Sequence, residues 1–267
     1  MKYTKEYFEK LIEDNNGTLD ISKYQHSISI LPNELVIPHN LILHKRLKKL
    51  PSNINIGGNL DFNGNTLIKE IAENVTIGGD LYIEHTCVHT ITASVKIGGS
   101  VYARNSCIKN IPNNWLVNGD LDISHTHFYD IPKNLKVKGS LNMEYTSIVE
   151  IPATIRVGKD INISDCPYIT KLPRKLKVKG SLYMCNTYIT EIPEDIYIGK
   201  NLDITFTRIG NIPANCVKGR IINLGGMYLP FNKCLAPDYK QPKNMYMTEH
   251  SVQQIVDAYI EKIINDK

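Results

Sequence analysis

Long apolar runs are missing from this 267-residue chain. No stretch approaches the ~18 consecutive hydrophobic residues of a membrane span, and residues 1 to 10, crowded with Lys, Glu and Tyr, lack the apolar segment of a secretory signal. The expectation is therefore a cytoplasmic protein with no membrane partner, delivery into a host cell by a signal-independent route being the alternative. Paired cysteines are missing too. The six present, Cys87, Cys107, Cys166, Cys185, Cys216 and Cys234, form no C-x-x-C, which argues against structural zinc and for reduced thiols. Only Cys87 and Cys107, at equivalent places in adjacent repeats, make a disulfide geometrically conceivable.

An excess of one charge is also lacking. With 31 basic and 27 acidic residues the net charge is +4, too mild to announce a nucleic-acid binder by its sum. No P-loop, G-x-G-x-x-G, nucleophile elbow or D-x-D-x-D-G calcium loop occurs, so no cofactor, metal or enzymatic activity is expected.

What is abundant is repetition. Anchors of the form Ile/Leu-Pro, or a variant, open at Leu31, Leu50, Ile71, Ile91, Ile111, Ile131, Ile151, Leu172, Ile192 and Ile212, spaced by 19 to 21 residues. With the anchor as position 1, apolar residues recur at positions 5, 7, 11, 13 and 18, Gly falls at 8 or 9, and Thr, Ser or Cys is common at 16. In the coil from 131 to 150 these are Leu135, Val137, Leu141, Met143, Ile148, Gly139 and Thr146. Alternation with period two is the spacing of side chains on a strand, so each repeat should supply a strand near positions 10 to 14 and an extended segment near 4 to 8, with glycine permitting the bend between them. One repeat cannot bury its own apolar side, so the coils must stack. The position-16 residues Thr86, Ser106, Thr126, Thr146, Cys166, Thr187 and Thr207 would then form an internal ladder satisfying turn backbone groups.

The run Leu141-x-Met143-x-x-Thr146-x-Ile148-x-x-Ile151-Pro152 resembles the L-x-L-x-x-N-x-L-x-x-L-P core of leucine-rich repeats in their short, 20-residue bacterial and phage form, with Thr at the usual Asn position. The resemblance covers residues 31 to 224. It implies a β-rich, right-handed leucine-rich-repeat solenoid of about ten coils with helical N- and C-terminal caps, and an effector or anti-defence role. Some related effectors append a ubiquitin-ligase domain. Only about forty residues follow the last repeat here, and Cys234 has neither the neighbouring acid nor the supporting domain, so that activity is not expected.

The organisation follows. Residues 1–30 are a helical cap plus a degenerate first coil, with Tyr7, Phe8, Leu11 and Ile12 on one helical face and Asn16-Gly17 as a stop. Residues 31–224 are the solenoid. Residues 225–267 are an irregular loop and an amphipathic helix carrying Val252, Ile255, Val256, Tyr259, Ile260, Ile263 and Ile264, with Thr248 as N-cap.

Packing dictates the core columns, so function must use the others. Positions 10, 12 and 14 face away from the core. Position 12 reads Asp61, Tyr82, Tyr102, Asp122, Asn142, Asn162, Tyr183 and Asp203. Position 10 adds Asp80, Asp120 and Asp160, and position 14 adds Glu84, Arg104 and Glu144. This acidic, tyrosine-bearing face is expected to dock a protein with a basic surface, through Tyr82, Glu84, Tyr102, Arg104, Asp122, Asn142, Glu144, Asn162, Tyr183 and Asp203. The segment before it is basic, densest at Lys133, Lys136, Lys138, Arg156, Arg174, Lys175, Lys177 and Lys179, and offers a second reading: a nucleic-acid or acidic-partner binder. Plain solvation is the rival for both faces, and an enzyme site within residues 225 to 247 the rival for both functions. His85 and His125 share position 15 two coils apart, ~10 Å by strand spacing, too far to share a zinc.

Overall fold

The computed structural model describes residues 3–24, 28–209, 211–214, 216–218, 221–223 and 228–230, the last two segments as backbone. Period-two alternation becomes strands of two residues, two per coil. In the coil from 131 to 150 these are Lys136–Val137 and Leu141–Asn142. The second strand of every coil joins one parallel sheet, in which Leu121, Leu141 and Ile161 lie side by side in register. The first strands are more than extended linkers: they form parallel sheets of their own, one of four strands and one of five. Anchors count ten coils, but nine carry both strands; the coil opened by Ile212 contributes Ile221–Asn223 to the long sheet and only a single bridge, Val217 with Ile198, on the other side.

The inward residue of each strand stacks on its counterpart in the next coil, giving one continuous core from Phe8 to Val217. Positions 5, 7, 11, 13 and 18 of the coil from 131 to 150 are all buried, as is the anchor Ile131. Burial at five or six positions per coil is what two-residue strands require, because so short a ladder holds little by its own hydrogen bonds.

The ladder of first strands breaks between Lys96–Ile97 and Leu116–Val117. Here Trp115 takes the inward place filled by Val95 and Leu135 in the flanking coils, and the Asn118 side-chain amide, not a backbone N–H, reaches the Ile97 carbonyl at 3.5 Å. At this break a side chain stands where the ladder bond would run.

An α-helix, Lys5–Asp14, precedes the first coil, with Thr4 accepting from the Tyr7 N–H at its start and Phe8 and Ile12 buried in the common core. It closes where expected: Asn16 and Gly17 have φ of 49° and 83°, and the Gly17 N–H returns to the Ile12 carbonyl. The expected helix near 248 to 264 lies outside the described residues. Within the segment expected to be an irregular loop, Tyr228–Pro230 is instead a strand, antiparallel to Ile221–Asn223, because the last parallel strand leaves backbone groups that a returning chain can pair. No helix among the described residues is long and apolar enough to cross a membrane.

Candidate functional site

Most coils pass through the left-handed region at one or both of two places, and apart from Gly64 the residues there are not glycine. Positive φ falls at position 4, on Asn53, Asn74, Asn114, Asn134 and Lys175 among others, and at position 15, on His85, Asn105, His125, Tyr145, Asp165, Asn186 and Phe206. The chain bends at positions 8 and 9 as expected, but the glycines there are not in the left-handed region. They are there because neighbouring coils touch: a Cβ on Gly139 would strike Oδ1 of Asp120, and one on Gly158 the Lys138 carbonyl.

That contact exposes a correction. Position 10, expected to face a partner, is an internal ladder. Asp80 Oδ1 accepts from the Ser100 N–H at 2.6 Å, Ser100 Oγ from Asp120 N–H at 3.0 Å, Asp120 Oδ1 from Ser140 N–H at 2.7 Å, and Asp160 Oδ1 from Ser181 N–H at 2.7 Å. Ser100 and Ser181 are buried. These acids therefore satisfy corner N–H groups between coils, a task the acidic composition concealed.

Position 12 does line up. Asp61 pairs with Tyr82, Tyr82 with Tyr102, Tyr102 with Asp122, and the row continues through Asn142, Asn162 and Tyr183 to Asp203. All eight are partly exposed. Tyr82 and Tyr102 stack with ring centroids 5.1 Å apart and planes at 16°. The Tyr82 hydroxyl donates to Asp80 Oδ2 at 3.3 Å, and burial, with the Asp80 charge behind it, pushes its pKa up, so it stays a neutral donor. The Asp and Asn members also bend the chain after the strand: Asp122 Oδ1 accepts from both the N–H and hydroxyl of Ser124, and Asn142, Asn162 and Asp203 accept from the N–H two residues on.

Position 14 varies more. Ser124 and Thr205 are buried, while Glu84 receives Asn63 Nδ2–H at 3.2 Å and Glu144 receives Asn162 Nδ2–H at 3.4 Å. Arg104 is drawn to the neighbouring turn, donating from Nη2 to His125 Nε2 at 3.1 Å, while the His125 ring stacks on Tyr145 at 4.6 Å. His85 and His125 thus sit at turn positions, and no group of three or more His, Cys, Asp or Glu among the described residues is placed to hold a metal.

The internal ladder at position 16 holds in Thr form. Thr86, Thr126, Thr146 and Thr187 each donate to the carbonyl three residues back, at 2.7 to 2.9 Å. Asn65 and Cys166 also reach the preceding coil: Asn65 gives Nδ2–H to the His44 and Leu47 carbonyls while Oδ1 accepts from the Leu67 and Ile68 N–H groups, and the Cys166 thiol donates to the Met143 carbonyl at 3.1 Å. Threonine is too short to do both, so in most coils the turn is closed from within. Cys87, Cys107, Cys166, Cys185 and Cys216 are free thiols, and burial pushes Cys185 and Cys216 up to about 11. Cys234 lies outside the described residues.

The basic residues divide. Lys136, Lys138, Arg156, Lys177 and Lys179 line one open groove of ≈ 860 Å³ on the five-stranded sheet, with Leu116 and Tyr197 at its ends. Lys133, Arg174 and Lys175 stand on the preceding turn and do not line it; the Lys175 N–H is held by Asp195 Oδ1. Comparison with protein-family models, with curated proteins and with solved structures returned no match. The structure itself defines the class: a parallel β-solenoid of coils about twenty residues long, compatible with a short leucine-rich-repeat type.

Proposed function

We propose that this protein is a non-enzymatic recognition scaffold of the leucine-rich-repeat kind, acting in the cytoplasm, that docks a protein partner with a basic surface on its long sheet. The observation that carries this reading is the unbroken row from Asp61 to Asp203, about 34 Å at the usual strand spacing, in which the Tyr82–Tyr102 stack lies between two aspartates. Stacked tyrosines offer rigid contact area that loses little entropy on binding, and the surrounding carboxylates steer a cationic partner. A row of that length suits a macromolecule better than a small ligand. The docking residues are Tyr82, Tyr102, Tyr183, Glu84, Asp122 and Glu144; the position-10 acids are left out because the ladder uses them.

The test compares proteins captured from bacterial lysate by the parent and by a Tyr82→Ser/Tyr102→Ser/Asp122→Asn variant. Asn keeps the acceptor for Ser124 while removing the charge, so the variant should fold, which circular dichroism checks. The expected result is a partner retained by the parent and lost by the variant. Identical sets of captured proteins would put the docking face elsewhere.

A further inference from the structure

The groove on the five-stranded sheet lies on a different side of the coil from the tyrosine row, and what it would bind does not depend on that row. Its floor is built by register. Lys136 pairs with Arg156, Lys177 follows in the next strand and Tyr197 after it, so position 6 presents three cations in consecutive coils. Position 8 supplies Lys138 and Lys179 on either side of Gly158. Gly158 and the five cations line the same open groove.

Three features separate this from a merely solvated basic surface. First, none of the five cations is paired with a carboxylate among the described residues; the only ion pair there is Lys5 with Glu9, on the N-terminal helix. Like charges on adjacent strands, ~5 Å apart at the backbone, are left to repel one another. Second, Arg156 is partly fixed. Its Nη1 donates to the Ala153 and Ile155 carbonyls at 3.3 and 2.8 Å, which leaves the Nε and Nη2 hydrogens for a ligand. Third, the row is bounded. Leu116 precedes it, beyond which the sheet is broken, and Tyr197 ends it.

We infer that this groove is a seat for a compact polyanion bearing two or more phosphate groups within about 10 Å, the span of three adjacent strands, with Arg156 gripping one phosphate in its fork and the four lysines supplying charge around it. The bounds at Leu116 and Tyr197 favour a compact group over an extended nucleic-acid strand, which would need the row of cations to continue.

Titration calorimetry of the full chain with inorganic triphosphate tests this, at low and high salt. The parent should bind, and Lys136→Gln/Arg156→Gln/Lys177→Gln should weaken binding by at least about tenfold, since charge-assisted bonds to phosphate are the strong ones. A control, Lys69→Gln/Lys109→Gln/Lys171→Gln, removes the same charge from exposed positions on the third side of the coil and should leave affinity within about twofold. Matching melting curves establish that all three proteins are folded. Absence of binding by the parent at low salt, or an equal loss in both variants, would overturn the inference. So would a single-stranded oligonucleotide that binds the same lysines and is not displaced by triphosphate, which would make the groove part of a nucleic-acid track.

Discussion

Asp120 and Gly139 belong to one device. In five coils with Asp or Asn at position 10, the next coil has Gly at position 9: Asn40 with Gly58, Asn59 with Gly79, Asp80 with Gly99, Asp120 with Gly139, Asp160 with Gly180. After the shorter serines the rule relaxes, and Lys159 follows Ser140 and Lys200 follows Ser181. Gly139→Ala should therefore destabilise by about 1–3 kcal/mol through overpacking, and Asp120→Ser should recover part of that loss; a double-mutant cycle in urea measures the coupling. Strictly additive effects would show that the carboxylate is not the obstacle. A second residue-scale expectation concerns Cys185. Burial, reinforced by Asp203, Asp165 and Glu144, raises its thiol to about 11, so at pH 8 native Cys185 should alkylate roughly 100-fold more slowly than an ordinary thiol, and at the ordinary rate once unfolded.

A strand of two residues has too few ladder bonds to specify itself, so each element depends on the columns at its ends. Asp160→Ala would remove the acceptor of the Ser181 N–H in a buried corner and should cost about 1–3 kcal/mol in denaturant unfolding, with Asp160→Asn close to the parent. Strand position and inward register were legible because burial imposes a period, and Leu135, Val137, Leu141 and Met143 are where alternation puts them. The roles of Asp80, Asp120 and Asp160 were not, because a carboxylate accepting a neighbour's N–H and one facing solvent have the same composition. Nor was the left-handed turn at position 15 plain when it is made by His85, Tyr145 or Phe206, whose types carry no turn signal. The groove lay between these cases: its basic residues were visible along the chain, but the groove they line exists only once the coils are stacked.

For the whole molecule the coil is the unit of exchange. Stability in a stack is close to a sum over units and their neighbour contacts, so a coil can be removed if the new neighbours match. Deleting 111 to 130 would set Ser100 against Gly139, a compatible pair. Deleting 131 to 150 would set Asp120 against Lys159 and should leave a protein less stable by about 1–3 kcal/mol than the other deletion, both compared by thermal unfolding. Equal melting temperatures would mean that coils recognise one another by something other than the position-10 ladder.

The closing strand, Tyr228–Pro230, has a further effect through its direction. A stack of parallel coils could in principle lengthen without limit by accepting the first coil of another copy. Here the outermost strand among the described residues runs the opposite way, so an added coil could not continue the parallel register, and Pro230 has no N–H to offer it. The described part of the fold thus interrupts the parallel register by which coil would follow coil.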